Sequence, residues 1–135
     1  MRVYNKWIVA LLFLCINSLN AKNLQASFQY FNFQNANGIS YIETYLSFLS
    51  TELNYKQINS KEFQGSVLIN IAIKEGGTTY HIDKYLFQTP ILKDTLTSQY
   101  FIDKQVIALN NGSYELSLDL KDVNSNKSSI SANTS

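Results

Sequence analysis

The chain of 135 residues contains a single histidine, His81, and Asp83 follows it two positions later. In an extended strand both side chains point to the same face, which would suit a metal-binding or acid–base pair. A transition-metal site needs three or four ligands, and the chain offers no second histidine and only one cysteine, Cys15. We therefore expect His81 and Asp83 to lie on a solvated strand face, with no metal and no other cofactor.

Other catalytic arrangements have little support in the residue pattern. A serine nucleophile needs a nearby base, and the sequence has no Gly-x-Ser-x-Gly turn. Glu115 and Asp119 would share one strand face, and Glu43 lies between two tyrosines. Glycosidases place two carboxyl groups around a sugar, but ten acidic residues produce such neighbours by chance. The sequence predicts a protein that is not an enzyme.

Aromatic residues are the stronger indication of a binding function. The chain has nine tyrosines and eight phenylalanines, and a tyrosine combines an apolar ring with a polar tip that suits sugars and protein partners. Four of these residues fall opposite the clearest apolar runs and form the candidate ligand face: Tyr41, Tyr45, Tyr85 and Phe87. The alternative is that these rings serve the core or strand formation.

The elements that would position these residues are strands, because apolar side chains alternate along the chain. Val67, Ile69, Ile71 and Ile73 alternate with more polar residues, and so do Leu116, Leu118 and Leu120. Six strands are predicted: 27–34, 39–49, 66–74, 78–88, 101–109 and 114–121. In 27–34 the apolar phase slips, which predicts a bulge or burial on both faces. In 78–88 the predicted core face carries Tyr80, Ile82 and Leu86.

Turn residues separate these strands. Asn35–Gly38, Glu75–Gly77 and Asn110–Gly112 are typical of tight turns, whereas the longer segment Pro90–Gln99 favours a crossover between two sheets. The pattern predicts an all-β fold, an antiparallel immunoglobulin-like β-sandwich of about six or seven strands, preceded by a signal peptide. A small closed barrel is the alternative fold.

The first 21 residues have the layout of a signal peptide. A short positive region, Met1–Lys6, precedes the apolar run Trp7–Ile16 and a polar stretch that ends at Ala21. The domain prediction is therefore a signal peptide at 1–21, a β-sandwich at 22–122 and a flexible Ser/Asn-rich tail or linker at 123–135. We expect export to the periplasm, cell surface or medium, and a membrane anchor only if Cys15 is lipidated.

The net charge of the chain argues against a nucleic-acid-binding function. The whole chain has a net charge of +1, and removal of the predicted signal peptide leaves a slightly acidic chain without arginine. A nucleic-acid-binding protein would show a basic excess, so no nucleic acid is expected as partner.

Four segments resemble a known group of proteins: Tyr41–Ser47 (YIETYLS), Phe63–Val67 (FQGSV), Lys84–Leu86 (KYL) and Ala108–Asp122 (ALNNGSYELSLDLKD). Over residues 26–122 the chain resembles the N-terminal β-sandwich region of large uncharacterised exported bacterial proteins. Some of those proteins carry a C-terminal domain of the GWxTD type, and no GWxTD stretch occurs here. The resemblance implies an exported sandwich domain with no catalytic residues to transfer.

Three functions follow as hypotheses. The first is a non-catalytic exported module with a structural or protein-interaction role in the bacterial cell envelope, whose partner is another protein or further domains of a longer chain. The second is a carbohydrate-binding or adhesin module that binds a glycan on its tyrosine-bearing face. The third is a fimbrial-type subunit whose sheet is completed by a neighbour's strand.

Overall fold

A computed structural model describes residues 24–134, and these residues form strands joined by turns and one short 3-10 turn. The eight strands, in chain order, are β1 (Ala26–Gln34), β2 (Ser40–Leu49), β3 (Tyr55–Asn59), β4 (Glu62–Glu75), β5 (Thr78–Gln88), β6 (Tyr100–Ala108), β7 (Glu115–Asp122) and β8 (Ile130–Thr134). The fold is all-β, as the sequence predicts. The proposed signal peptide lies outside the described residues.

The strands form two antiparallel sheets, an arrangement consistent with a β-sandwich. The first sheet has three strands in the order β1-β2-β6. The second has five strands, in which β4 pairs with β5 on one side and with β3 and β7 on the other, and β8 pairs with β7. The strand β4 is long enough to pair first with β3 and then with β7.

The core lies between the two sheets and follows from the alternation of apolar residues. In β4, the side chains of Val67, Ile69, Ile71 and Ile73 are at most 2% exposed, so the predicted inward face of this strand is confirmed. Burial of one such side chain stabilises a fold by about 1.5–3 kcal/mol. The inward faces of the other sheet contribute Ile42, Leu46, Phe48, Phe101 and Ile107, and β7 contributes Leu116, Leu118 and Leu120.

The predicted phase of β5 is wrong. Ile82 is 65% exposed and Leu86 is 49% exposed, whereas Tyr85 and Phe87 pack against the core. The strand carries large apolar residues in both phases, so alternation alone cannot choose between them. The register decides, because Phe87 lies opposite Val67 and therefore shares its inward face.

The prediction for β1 is also wrong. This strand pairs with β2 in one unbroken register from Ala26 to Gln34, so it has no bulge. Most of its residues are exposed, so the strand is not buried on both faces either. Among the described residues, β1 pairs only with β2, and it is therefore an edge strand whose mixed phase reflects apolar residues on both of its faces.

Glycines close the two tight hairpin turns as predicted. Gly38, Gly76 and Gly77 all have positive φ, a conformation that costs glycine little and other residues more. The segment Pro90–Gln99 crosses from one sheet to the other, as predicted. The prediction of a hairpin turn at Asn110–Gly112 is wrong. This segment connects the two sheets, because β6 belongs to the three-stranded sheet and β7 to the five-stranded one.

The C-terminal segment differs from the expectation of a flexible tail. Residues 130–134 form β8, which pairs with β7 from Leu116↔Thr134 to Leu120↔Ile130. The side chains of β8 are mostly exposed, so the pairing rests on backbone hydrogen bonds rather than on apolar burial. A strand of this kind leaves no alternation of apolar residues in the sequence.

Candidate functional site

The outer face of the three-stranded sheet carries several large apolar side chains. Alternation sets this face, since Ile42, Thr44 and Leu46 of β2 point into the core. Tyr41, Glu43 and Tyr45 alternate with them and point outward. We define the apolar outer face by Phe31 and Phe33 of β1, Tyr41 and Tyr45 of β2, and Tyr100, Ile102 and Val106 of β6.

The side chains from the two outer strands, β1 and β6, are exposed, whereas Tyr41 and Tyr45 of the central strand are half-buried. Phe31 is 50% exposed, and Ile102 and Val106 are 62% and 60% exposed. The register places Phe31 and Val106 on either side of Glu43 of the central strand. Single exposed apolar residues are common on protein surfaces, whereas several on one face of a sheet indicate an interaction site.

Three polar groups at the centre of this face are bound to one another. The Tyr45 hydroxyl donates to Oε2 of Glu43 at 2.6 Å, and the Lys104 ammonium lies 3.0 Å from Oε1 of the same carboxylate. The ammonium also lies 5.4 Å from the centroid of the Tyr45 ring, a distance typical of a cation–π contact. Together these groups present no net charge.

The same contacts shift the ionisation of this pair. The hydrogen bond from Tyr45 and the contact with Lys104 lower the pKa of Glu43. The Glu43 carboxylate in turn raises the pKa of Lys104. Both groups therefore stay charged and paired over a wide range of pH around neutrality.

The aromatic rings on this face pack against each other. Phe33 and Tyr41 stack with ring centroids 5.5 Å apart and an interplanar angle of 23°. Phe31 and Tyr45 meet edge to face at 5.9 Å. Beside them runs a shallow groove of about 280 Å³, whose lining includes Phe31, Tyr45 and Ile102. Ring pairs of this kind hold the side chains in fixed positions before a partner arrives.

The four residues predicted to form one ligand face fall on two different surfaces. Tyr41 and Tyr45 lie on the apolar outer face. Tyr85 and Phe87 point inward from the second sheet, and the Phe87 ring lies 5.3 Å from that of Phe48. The structure therefore brings together only the first pair, and the second pair serves the packing between the sheets.

Tyr85 links the two sheets by a hydrogen bond. Its hydroxyl donates to Oδ2 of Asp103 on β6 at 2.5 Å, and Gln105 donates to the same carboxylate from Nε2. Partial burial and the neighbouring Asp103 carboxylate raise the pKa of Tyr85 well above its usual value of about 10. This tyrosine is a structural contact between β5 and β6.

The polar residues considered for catalysis do not form a cluster. His81 lies opposite Ile73 and Asp83 opposite Ile71, so both share the phase of Tyr85 and Phe87. In the edge strand β5, Asp83 is nevertheless exposed and His81 is half-buried. The carboxylate of Asp119 accepts from Ser131 and Asn70. Within residues 24–134, no three His, Cys, Asp or Glu side chains are placed to hold a metal ion together.

Sequence reasoning missed the aliphatic part of the site. Ile102 and Val106 lie in a strand whose two faces are similar in apolar content, so the residue pattern does not indicate that their side chains point outward. One signal in the sequence was Phe101, a large aromatic residue in the phase opposite to that of Ile102 and Val106. Its side chain is buried, so the residues that alternate with it point outward. Their approach to Phe31 depends on the pairing of β2 with β6, which no local pattern encodes.

Comparisons of the chain with protein-family models, with curated proteins and with solved structures give no match. Across the described part of the chain there is no helix with the length and apolar character to cross a membrane.

Proposed function

We propose that the chain is an exported, non-catalytic β-sandwich module that binds a partner protein through the apolar outer face. Its role would be structural or adhesive within the bacterial cell envelope, with the partner being another protein or a further domain. The observation that carries the proposal is the exposure of Phe31, Ile102 and Val106, which lie around the Glu43–Lys104 ion pair on one face of the three-stranded sheet. A face of this kind is suited to packing against another apolar surface.

The chemistry of this face favours a protein over a sugar. Sugar binding needs polar side chains that are free to bond hydroxyl groups, yet Glu43, Tyr45 and Lys104 already bond one another. The aliphatic residues Ile102 and Val106 offer dispersion contacts and no polar tip. Protein interfaces, by contrast, combine aromatic and aliphatic contacts with a few neutralised polar groups.

Export and the finer fold belong to the same proposal. The layout of residues 1–21 supports a cleaved signal peptide. Two antiparallel sheets joined by crossovers support an immunoglobulin-like arrangement of the strands. Export is tested by fractionating the producing cells and sequencing the N-terminus of the mature chain. A chain retained in the cytoplasm with an intact N-terminus would contradict it.

The interaction is tested by site-specific cross-linking. A photoreactive phenylalanine analogue replaces Ile102 in the chain expressed in its own cells, and the cross-linked protein is identified by mass spectrometry. The control position is Ile82, which is equally exposed, at 65%, on the outer face of the other sheet. We expect a discrete product from position 102 and none from position 82. Equal products at both positions, or none at either, would overturn the proposal.

Purified components then test whether the contact is direct. Ile102→Glu and Val106→Glu each place a charge on the apolar outer face, and we expect either to weaken binding of the cross-linked protein at least tenfold, or about 1.4 kcal/mol. Ile82→Glu is the matched control and should bind as the wild type does. Circular dichroism checks that all three variants stay folded, as their exposure predicts.

The fimbrial-type alternative has one specific observation in its favour. Strand β1 contains no charged residue and no proline, and natural edge strands usually carry such residues to prevent pairing with another chain. Sedimentation of the purified chain tests this alternative. Concentration-dependent assembly that Gln29→Lys abolishes would favour it, whereas a monomer at all concentrations would exclude it.

A further inference from the structure

A second opening lies at one end of the molecule, away from the centre of the apolar outer face. It forms where the β1–β2 hairpin approaches the loop between β6 and β7 and the end of β8, and its volume is about 800 Å³. This size lies within the range of pockets that hold small molecules. We call it the end cleft and define it by Tyr30, Asn32, Asn110, Asn111, Ser113 and Tyr114.

The polar groups of the end cleft are neutral. No Asp, Glu, His, Lys or Arg side chain is among its lining residues within the described part of the chain. The Glu75 carboxylate lies beside Gly112, which belongs to the lining. A cleft without cationic side chains and with a carboxylate at its rim does not suit an anionic ligand.

Several of these polar groups face solvent and form no hydrogen bond with a described residue. The side-chain amides of Asn32 and Asn110 and the hydroxyls of Tyr30 and Ser113 belong to this group, and all four residues are exposed. The Ser40 hydroxyl donates to Oδ1 of Asn111 at 2.7 Å, so the Nδ2 group of Asn111 remains available as a donor. The cleft thus offers both donors and acceptors to a ligand that carries hydroxyl groups.

Apolar surface accompanies these polar groups. The floor includes the core residues Ile42, Ile73 and Leu116, and the walls carry the rings of Tyr30 and Tyr114. Tyr30 is 40% exposed, so part of its ring is accessible. A pocket with an apolar floor and a few convergent polar groups is the usual form of a small-molecule site.

The loop that forms one wall is fixed in place. The Leu109 amide donates to the carbonyl of Ser40 at 3.1 Å, and the Tyr114 hydroxyl donates to the carbonyl of Asn110 at 2.9 Å. The Tyr114 ring also meets the Tyr80 ring edge to face, with centroids 5.3 Å apart. A preformed wall avoids the entropic cost of ordering a loop when a ligand binds.

From this combination we propose that the end cleft binds a neutral saccharide. Sugar hydroxyls bond the amides of Asn32, Asn110 and Asn111, and the apolar face of a sugar ring packs on Tyr30. Phe33 and Tyr41 of the apolar outer face also line the cleft, but the residues proposed to bind the sugar are not part of that face. Loss of sugar binding in variants of Asn32 or Asn110 would therefore leave the proposed protein-binding function unaffected. The glycan-binding hypothesis is thereby centred on Tyr30 and the asparagines of the cleft, and no longer on Tyr41 and Tyr45.

The proposal is tested on an array of neutral bacterial, fungal, plant and animal glycans, with polygalacturonate and alginate as anionic comparisons. We expect the purified chain to bind at least one neutral class and neither anionic polymer. Titration calorimetry with the corresponding oligosaccharide then gives the affinity. Binding to no neutral glycan, or stronger binding to the anionic polymers, would overturn the proposal.

Variants locate the binding. Asn32→Ala and Asn110→Ala remove exposed amides at little cost to the fold, and each should weaken binding about tenfold or more, which is 1.4 kcal/mol. Gln57→Ala removes an exposed amide on β3, outside the cleft, and is the matched control. Tyr30→Phe keeps the ring and removes the hydroxyl, so a smaller loss than with Tyr30→Ala is expected.

A measurement that needs no substitution completes the test. In a nitrogen-15 NMR titration with the bound oligosaccharide, the side-chain amide signals of Asn32, Asn110 and Asn111 should shift, and that of Gln57 should not. Shifts confined to residues of the apolar outer face, or cleft variants that bind as the wild type does, would show that the assignment of the site is wrong.

Discussion

Asp122 is the buried charged residue that organises one end of the described structure. It is 4% exposed, and its Oδ2 atom accepts from both the backbone and the side-chain amide of Asn54, each at 2.8 Å. Its Oδ1 atom accepts from the Asn124 amide at 3.0 Å. A single carboxylate therefore joins the end of β7 to the segment before β3.

Replacement of this carboxylate should destabilise the fold. We expect Asp122→Ala to lower the free energy of unfolding by about 2 kcal/mol, because it leaves amide donors unpaired in a buried region. Urea denaturation followed by circular dichroism measures the change. Asp83→Ala removes an exposed carboxylate with no hydrogen bond to a described residue and should change stability by less than about 0.5 kcal/mol. Equal effects would contradict this account.

Two tyrosines make stability depend on alkaline pH. Burial raises the pKa of Tyr55 to about 12, and burial with the Asp103 carboxylate raises the pKa of Tyr85. The unfolded chain releases these protons near pH 10, while the folded chain retains them. Stability is therefore fully present below about pH 10 and falls as the pH rises above it.

Urea midpoints measured from about pH 8 to about pH 11.5 test this dependence. Tyr85→Phe should lower stability at neutral pH through the lost hydrogen bond, and it should make the alkaline decline shallower. Tyr100→Phe serves as the control because Tyr100 is 69% exposed. If the urea midpoints of the wild type and of Tyr85→Phe fall in parallel as the pH rises, Tyr85 does not contribute to the alkaline loss of stability.

At the scale of elements, the sequence predicted the strands that alternate cleanly and missed or misread the others. β4 and β7 were predicted with the correct inward faces, since each has a single apolar phase. β3 and β8 were missed because each is five residues long and mostly exposed. The face of β5 was misread because Ile82 and Phe87 lie in opposite phases, and only pairing with β4 selects one.

The junction of β4 with the segment after β5 is tightly packed. The Gly65 amide donates to Oγ1 of Thr89 at 3.0 Å, and the Thr89 amide donates to the Gly65 carbonyl at 3.0 Å. A Cβ atom at Gly65 would lie 3.2 Å from Cγ2 of Thr89 and 3.3 Å from Cε1 of Tyr55. Thr89 cannot move away without weakening both hydrogen bonds.

We expect Gly65→Ala to lower the free energy of unfolding by about 1–2 kcal/mol, as overpacking does. Thr89→Ser removes the Cγ2 methyl group and keeps the hydroxyl. In the Thr89→Ser background, Gly65→Ala should therefore cost less, and a double-mutant cycle from urea unfolding measures the difference. If the effects of the two substitutions on the free energy of unfolding are strictly additive, the contact with Cγ2 of Thr89 is not the cause of the destabilisation by Gly65→Ala.

Strand β8 should open more easily than the other strands. It contributes exposed side chains and pairs with β7 alone, so little apolar area is lost when it detaches. Native-state hydrogen exchange should show faster exchange for its amides than for those of Ile69 and Ile71 in β4. Equal protection of the two strands would show that β8 opens only with global unfolding.

At the scale of the whole molecule, the candidate sites depend on which strands become neighbours. Alternation within β2 correctly predicted that Tyr41 and Tyr45 lie on the face opposite to that of Ile42 and Leu46, because all four residues belong to this one strand. It could not place Ile102 beside them, since that requires the pairing of β2 with β6. The end cleft could not be predicted from the sequence either, because its lining residues come from both sheets and are brought together only by the complete fold.

The pairing of β2 with β6 also sets the order in which the molecule can form. The hairpins β1–β2 and β4–β5 join neighbouring segments and can close early, whereas β2–β6 and β4–β7 join segments that are distant in the chain. Distant pairings slow folding because a long loop must close before any contact stabilises it. The three-stranded sheet is therefore completed late, and until then the inward faces of Leu46 and Phe48 stay open to other chains. This delay makes the interval before β6 pairs with β2 the period of greatest risk of aggregation.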